Sequence, residues 1–257
     1  REGVRGYRMP SPEELTGVQR AAYVRSLFTR VAPHYDLANA FITGGRHRAW
    51  RRKTLKRALA HLSDRTDGRP IRGLDLCCGT GDYLFLLREI LGQDARLVGL
   101  DFCEPMIRVA VERTRHAGAE AVWLRGDATD LSLFRDATFD LATVGFGLRN
   151  VIDLPAALRE AARVLRPGGL FVSMELTRPE RGPLRPVIFA YLRWLLPFLA
   201  NLAKGGRDDY LWLRRSLETF PGIPGLSKLL ESSGLEVLEV CRFGVGAVAG
   251  HIARRAE

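Results

Sequence analysis

The run Leu74-Asp75-Leu76-Cys77-Cys78-Gly79-Thr80-Gly81-Asp82 constrains this chain more than any other segment, because an apolar strand enters a Gly-rich turn that opens an amphipathic helix at Asp82. Without a Cβ at Gly79 and Gly81, the backbone can bend sharply and lie close against a bound molecule. The polar groups of that molecule then meet the free amides of the helix's first turn. Spacing selects the ligand class. A dinucleotide fingerprint needs a third glycine three residues after the second, and that place is Leu84. The turn therefore suits a nucleoside ligand without a pyrophosphate.

Two further acids fall at strand ends. Arg96-Leu97-Val98-Gly99-Leu100-Asp101 reads as a second buried strand ending in an acid about 20 residues after the glycines, where a carboxylate takes both ribose hydroxyls. A third strand, Ala121 to Arg125, runs into Gly126-Asp127-Ala128, so Asp127 is placed to accept from an adenine amino group. Open α/β sheets hold ligands at the carboxyl ends of their strands, and these acids share that edge. The strand-end acid, the cysteine pair and Gly-x-Gly-Asp resemble the first motif of S-adenosylmethionine (SAM)-dependent methyltransferases.

The rest of the chain alternates in the same way. Helices are expected over Asp82 to Leu91, Glu104 to Ala117 (opening with Pro105, closing at Gly118), Asp153 to Leu165, and Leu226 to Ser233. The fourth strand is Phe139 to Val144 and the fifth Leu170 to Leu176, after the turn Arg166-Pro167-Gly168-Gly169. The runs Leu235 to Phe243 and Val245 to Ala253 are too close for a crossover helix and should pair as an antiparallel hairpin. The fold class is therefore α/β and Rossmann-like, a mostly parallel seven-stranded sheet with a C-terminal antiparallel hairpin and helices on both faces. The 257 residues fit one domain over 1–257, with an N-terminal helical cap over 1–62 and an apolar helical insertion over 183–206. Four cysteines form neither a disulfide framework nor a metal-ligand pattern, so no metal is expected and a reducing cytoplasm is. No charged-then-apolar signal segment argues for export.

A narrower resemblance rests on Phe28-Thr29-Arg30-Val31-Ala32-Pro33-His34-Tyr35-Asp36-Leu37-Ala38-Asn39, the turn Asp75 to Asp82, Gly145-Phe146-Gly147-Leu148-Arg149-Asn150, and Leu165 to Gly169. Over about residues 25 to 255 the chain resembles the ubiquinone/menaquinone biosynthesis C-methyltransferase family. The resemblance implies a class I methyltransferase that methylates a ring carbon of a prenylated quinol, demethylmenaquinol or the ubiquinol precursor, with SAM as donor and S-adenosylhomocysteine as product. The cysteine pair leans towards the menaquinone branch. The expected cofactor set is Cys78, Gly79, Thr80, Gly81, Asp101, Phe102, Asp127, Ala128 and Gly145. The family often carries serine where Gly145 stands.

A sulfonium methyl is already activated, so the enzyme must align a nucleophile behind it, exclude water and remove a proton. Arg149 and Asn150, just past the fourth strand, are placed to hold a quinol oxygen as negative charge grows. Tyr35 and Asn39, four apart on one helical face, would close over the methionine end of the cofactor. His34, His47 and His251 are possible bases, but lone histidines of this kind are more often structural and none is counted as catalytic.

The net charge of +10 implies attraction to something anionic. Seven lysines and arginines crowd the twelve residues Arg46 to Arg57, which would draw the protein to an acidic inner-membrane surface as a peripheral cytoplasmic enzyme. In the stretch Pro186 to Ala203, Arg193 and Pro197 argue against a membrane span and favour a lining for an isoprenoid tail. Two alternatives stay open: another lipid or natural-product acceptor, and an RNA-binding or RNA-modifying protein. The second lacks a recognisable RNA-binding module, so no nucleic acid partner is expected. Association as a homodimer is left open.

Overall fold

The computed structural model describes residues 15, 17–62, 68–118, 120–178 and 207–256. The apolar insertion expected over 183–206 lies outside them. Five strands run parallel: β1 (Arg72–Leu76), β2 (Arg96–Asp101), β3 (Val122–Arg125), β4 (Phe139–Gly145) and β5 (Leu165–Leu176). The hairpin β6 (Leu235–Phe243) and β7 (Val248–Arg255) completes the sheet, with β7 antiparallel to both β5 and β6. Strand order is β3-β2-β1-β4-β5-β7-β6, so the chain reverses direction across the sheet between β1 and β4. All five parallel strands end at one edge, and the crevice at such a reversal is where doubly wound sheets bind ligands.

Buried aliphatic strands need cover on both faces. On one face α6 (Leu154–Val164) and α8 (Gly222–Ser232) bring Leu158, Ala161, Leu226 and Leu230 against Leu74, Leu76 and Phe171. On the other, α3 (His47–Ala60) and α4 (Asp82–Leu91) bring Leu55, Ala58, Tyr83 and Leu87 against Leu97, Val172 and Ile252. Local chemistry starts and stops these helices. Asp153 caps α6 by accepting from the Ala156 N–H at 2.9 Å, with Pro155 just inside. Helix α5 (Glu104–Ala117) begins with Pro105 and ends at Gly118 in a left-handed conformation, φ 58°.

Three helices precede β1: α1 (Gly17–Val31), α2 (Tyr35–Thr43) and α3; they are called the cap below. Helix α1 rests on α5, and its Val24 and Leu27 pack with Trp212 from α7 (Arg207–Thr219), an element outside the expected set. Two other boundaries differ. The Pro-Gly-Gly segment read as a turn lies within β5 as a bulge, with Gly168 at φ 75°, between the Leu165–Phe139 and Leu170–Leu141 pairs to β4. Helix α8 starts at Gly222, since Pro224 lies in the first turn, where no backbone donor is required.

Candidate active site

A cleft of about 290 Å³ opens over the carboxyl ends of β1 to β4 and under α1. Cys77 and Gly79 from the glycine turn, Asp101 and Phe102 after β2, and Gly126, Asp127 and Ala128 after β3 form its floor and one wall. Val24, Phe28, Tyr35 and Met106 form an apolar wall, with Phe146, Gly147, Asn150 and Val151 at the remaining side. Of the expected cofactor set, Gly79, Asp101, Phe102, Asp127 and Ala128 meet here.

The acids are held firmly. Asp101 is 6% exposed, and each carboxylate oxygen accepts one backbone N–H: Oδ2 from Gly79 and Oδ1 from Cys103, both at 2.8 Å. One side chain thus ties the glycine turn to the start of α5. Burial lifts its pKa to about 6 against the pull of those N–H donors. Asp127 is exposed, and its Oδ1 accepts from the Thr129 amide at 2.9 Å and hydroxyl at 2.8 Å.

The two turn glycines differ. A Cβ on Gly79 would meet only the Tyr35 ring at 3.6 Å, leaving that backbone open to the cleft. One on Gly81, at φ 90°, would lie 2.5 Å from Trp123, so this glycine serves the packing of Trp123 beneath the turn. Of the adjacent cysteines, the expected cofactor set holds Cys78 alone. In the structure Cys77 adopts a left-handed backbone, φ 51°, and lines the cleft, whereas buried Cys78 lies behind the turn in a smaller recess with Thr80 and Gly145.

Thr80 has a partner that the sequence reading did not anticipate. Its hydroxyl donates to Asp36 Oδ1 at 2.7 Å, and Arg113 of α5 bridges Asp36 (3.1 Å) and Asp82 (3.2 Å) while donating to the Thr80 carbonyl at 2.8 Å. Asp82 also accepts from Arg51 at 2.6 Å. Burial would raise the Asp82 pKa, but Arg51 and Arg113 hold it below its usual range. This chain of charges fastens the cap to the glycine turn.

Arg149 and Asn150 occupy a single 3-10 turn after β4 and face different surroundings. The Arg149 guanidinium pairs with Glu175, 1% exposed at the end of β5, and donates to the Phe146 carbonyl at 3.1 Å. Asn150 lines the cleft. Its Oδ1 accepts from the Trp212 indole at 3.0 Å, and its buried Nδ2 has no partner. An indole nitrogen only donates, which fixes the amide orientation and aims its NH₂ away from Trp212. Tyr35 packs edge-on to Phe28, and burial raises its pKa, opposed by the Asn39 amide and the charges of Arg149 and Arg51.

Two histidines are structural. His251 is buried with Nε2 on the Ile223 carbonyl, and burial depresses its pKa to about 4. His47 takes a hydrogen bond from Arg51 on Nδ1, which requires the neutral ring, and burial lowers its pKa. Among the described residues no cluster of three or more His, Cys, Asp or Glu is placed to hold a metal ion.

A doubly wound sheet with a Gly-rich turn after β1, a carboxylate closing β2 and an antiparallel final hairpin defines a class I methyltransferase fold. Solved structures agree. A SAM-dependent methyltransferase from Aquifex aeolicus superposes with a TM-score of 0.52 over 77% of this chain and 89% of its own, at 19% identity. A possible histamine N-methyltransferase from Thermotoga maritima does so with a TM-score of 0.58 over 90% and 99%, also at 19% identity. The chain belongs to the ubiE/COQ5 methyltransferase family, whose profile matches residues 16–255. Similar relatives include the demethylmenaquinone methyltransferases of Bacillus cytotoxicus, 35% identical over 91% of this chain and 96% of that protein, and of Anoxybacillus flavithermus, 35% identical over 90% and 95%.

Proposed function

We propose that this methyltransferase transfers the methyl group of SAM to a ring carbon of a prenylated demethylnaphthoquinol. The observation that carries the reading is the juxtaposition, in one cleft, of a buried strand-end carboxylate, an apolar wall from the cap and the unpartnered Asn150 amide. Near-full-length likeness to demethylmenaquinone methyltransferases supports the choice of acceptor. SAM supplies an activated methyl group, so the protein's own task is alignment and charge. Asp101 takes the ribose hydroxyls, Asp127 and Ala128 the adenine edge, and Gly79 lets the adenosyl group approach the turn. Asn150 donates to the quinol oxygen as it passes its proton to water and becomes a phenolate, and the Arg149 charge stabilises that oxygen through space; as the S–CH3 bond breaks and the ring C–CH3 bond forms, the hydrogen of that ring carbon leaves as a second proton to water. Tyr35 closes the cleft over the transferring methyl group.

Among the described residues no helix is long and apolar enough to cross a membrane. The outward side chains of α3, Arg48, Arg52, Lys53, Lys56 and Arg57, would hold the enzyme at an anionic surface where tailed quinols reside. Purified protein is to be supplied with methyl-labelled SAM and a demethylnaphthoquinol in anionic vesicles, beside the corresponding benzoquinol and a phospholipid amine. Ring-methylated naphthoquinol is the expected product. Label in the phospholipid alone, or in none of the three, would overturn the assignment.

The Asn150 role carries its own prediction. Trp212→Phe removes the donor that orients the amide, and kcat is expected to fall about fivefold to tenfold, the size of one neutral hydrogen bond, with S-adenosylhomocysteine affinity unchanged. In an Asn150→Ala background the same substitution should cost nothing further. Additive losses in steady-state kinetics would place Trp212 outside this function.

A further inference from the structure

Beside the adenosyl cleft, and sharing Tyr35 and Cys77 with it, lies a narrow polar recess walled by Arg51, Asp75, Thr80, Tyr83 and Gly145. Its notable member is Arg51, on the inward face of α3 and only 2% exposed, whereas Arg48, Lys53 and Lys56 of the same helix are exposed. Its guanidinium lies 5.3 Å from the Tyr83 ring centre and 5.1 Å from that of Phe146. The Nη1 donates to Asp82 at 2.6 Å and to His47 Nδ1 at 3.2 Å. Its Nε is buried without a partner, as is the Tyr83 hydroxyl on the same recess.

Burying an N–H of a cation unpaired is costly, and two such orphaned polar groups on one recess require an explanation. Gly145 adds an independent observation. A Cβ there would lie 2.7 Å from the Tyr83 ring and 3.2 Å from Arg51 Nε, so a side chain at this position would crowd the guanidinium. Charge bookkeeping narrows the ligand. Arg51 and Arg113 are matched by Asp82 and Asp36, so a zwitterionic group enters with no net charge to compensate. Burial lifts the Asp75 pKa to about 8 against a hydrogen bond from the Thr143 hydroxyl at 2.7 Å.

We propose that Arg51 binds the α-carboxylate of the cofactor's methionine moiety, with Gly145 kept bare to leave the guanidinium accessible. This rests on the reading of SAM as donor. The recess meets the cleft at Tyr35, which puts the carboxylate beyond the sulfonium and the adenosyl group over Asp101. A planar fork suits a carboxylate better than an ammonium does.

The test compares ligands as well as proteins, by calorimetry at neutral pH with S-adenosylhomocysteine, its decarboxylated analogue and 5′-methylthioadenosine, which lacks the amino-acid end. Wild type is expected to bind the decarboxylated analogue about 10-fold to 100-fold more weakly than S-adenosylhomocysteine, the range for a hydrogen-bonded charge pair. Arg51→Met should lose the same factor for S-adenosylhomocysteine and keep its affinity for methylthioadenosine; Arg51→Lys should fall between. Equal losses for both ligands in Arg51→Met would reduce Arg51 to a clamp on Asp82 and overturn the proposal. Equal wild-type affinity for the carboxylated and decarboxylated ligands would overturn it without any variant. If wild type bound none of the three, the SAM reading itself would fail.

Discussion

Asp101→Asn is expected to weaken S-adenosylhomocysteine binding by about 10-fold to 100-fold and to lower folding stability by about 1–3 kcal/mol. Both carboxylate oxygens already accept a backbone N–H at 2.8 Å, one from Gly79 and one from Cys103. An amide must turn its NH₂ towards one of them, setting two donors face to face in a site that is 6% exposed. Whichever bond is lost, the glycine turn or the start of α5 loosens, and one acceptor for a ribose hydroxyl disappears. Titration separates the two effects. The folded protein holds the Asp101 proton up to about pH 6, whereas the unfolded chain releases it near 3.8. Stability from this group therefore declines as pH rises from about 4 to about 6 and is constant above. Cofactor affinity moves the other way, full above about pH 6 and falling below it, because ribose hydroxyls need the ionised acceptor. The acid-side loss of affinity should be absent in Asp101→Asn. A variant that bound as wild type does would remove Asp101 from the site.

Asp101 was legible because it ends an apolar run at a fixed distance from the glycines. The same holds for the sheet: each strand is a short buried run between turn residues, and the closeness of the last two runs required a hairpin. What local pattern could not carry was any pairing decided by how the cap crosses the sheet edge. Arg51 belongs to a cationic run that reads as facing an anionic surface, yet the turn of α3 that also buries Thr54 and Leu55 drives it inward. Thr80 stands in the expected cofactor set, and its hydroxyl bond to Asp36, 44 residues earlier, is a further contact that local pattern could not show. Cys77 could not be told from Cys78, since only the backbone conformation decides which of two adjacent identical side chains faces the cleft. Glu175 was read simply as part of the fifth strand, where a charged residue among Val172, Met174 and Leu176 was itself a signal that a cation would be found opposite it.

That cation is Arg149, and the second large effect follows from the pair. Arg149→Met is expected to destabilise the protein by about 3–5 kcal/mol, since it leaves Glu175 charged, 1% exposed and without its counter-ion. The remaining contacts to Glu175, the N–H of Leu176 at 3.0 Å and of Arg149 itself at 3.4 Å, do not replace a charge. For a chain of 257 residues that loss lowers Tm by about 6–20 °C. Lost activity in this single variant would therefore say little about catalysis. The informative protein is Arg149→Met with Glu175→Leu, which removes both charges and replaces them with apolar volume. Thermal unfolding should return most of the way to wild type, because a buried ion pair exchanged for packed hydrophobic side chains is close to neutral. If the guanidinium stabilises the developing phenolate, the refolded double variant should bind S-adenosylhomocysteine normally yet turn over about 10-fold to 100-fold more slowly, the shortfall falling on kcat. Wild-type turnover in a stable double variant would mean that Arg149 serves only to neutralise Glu175, and that the Asn150 amide holds the quinol oxygen unaided.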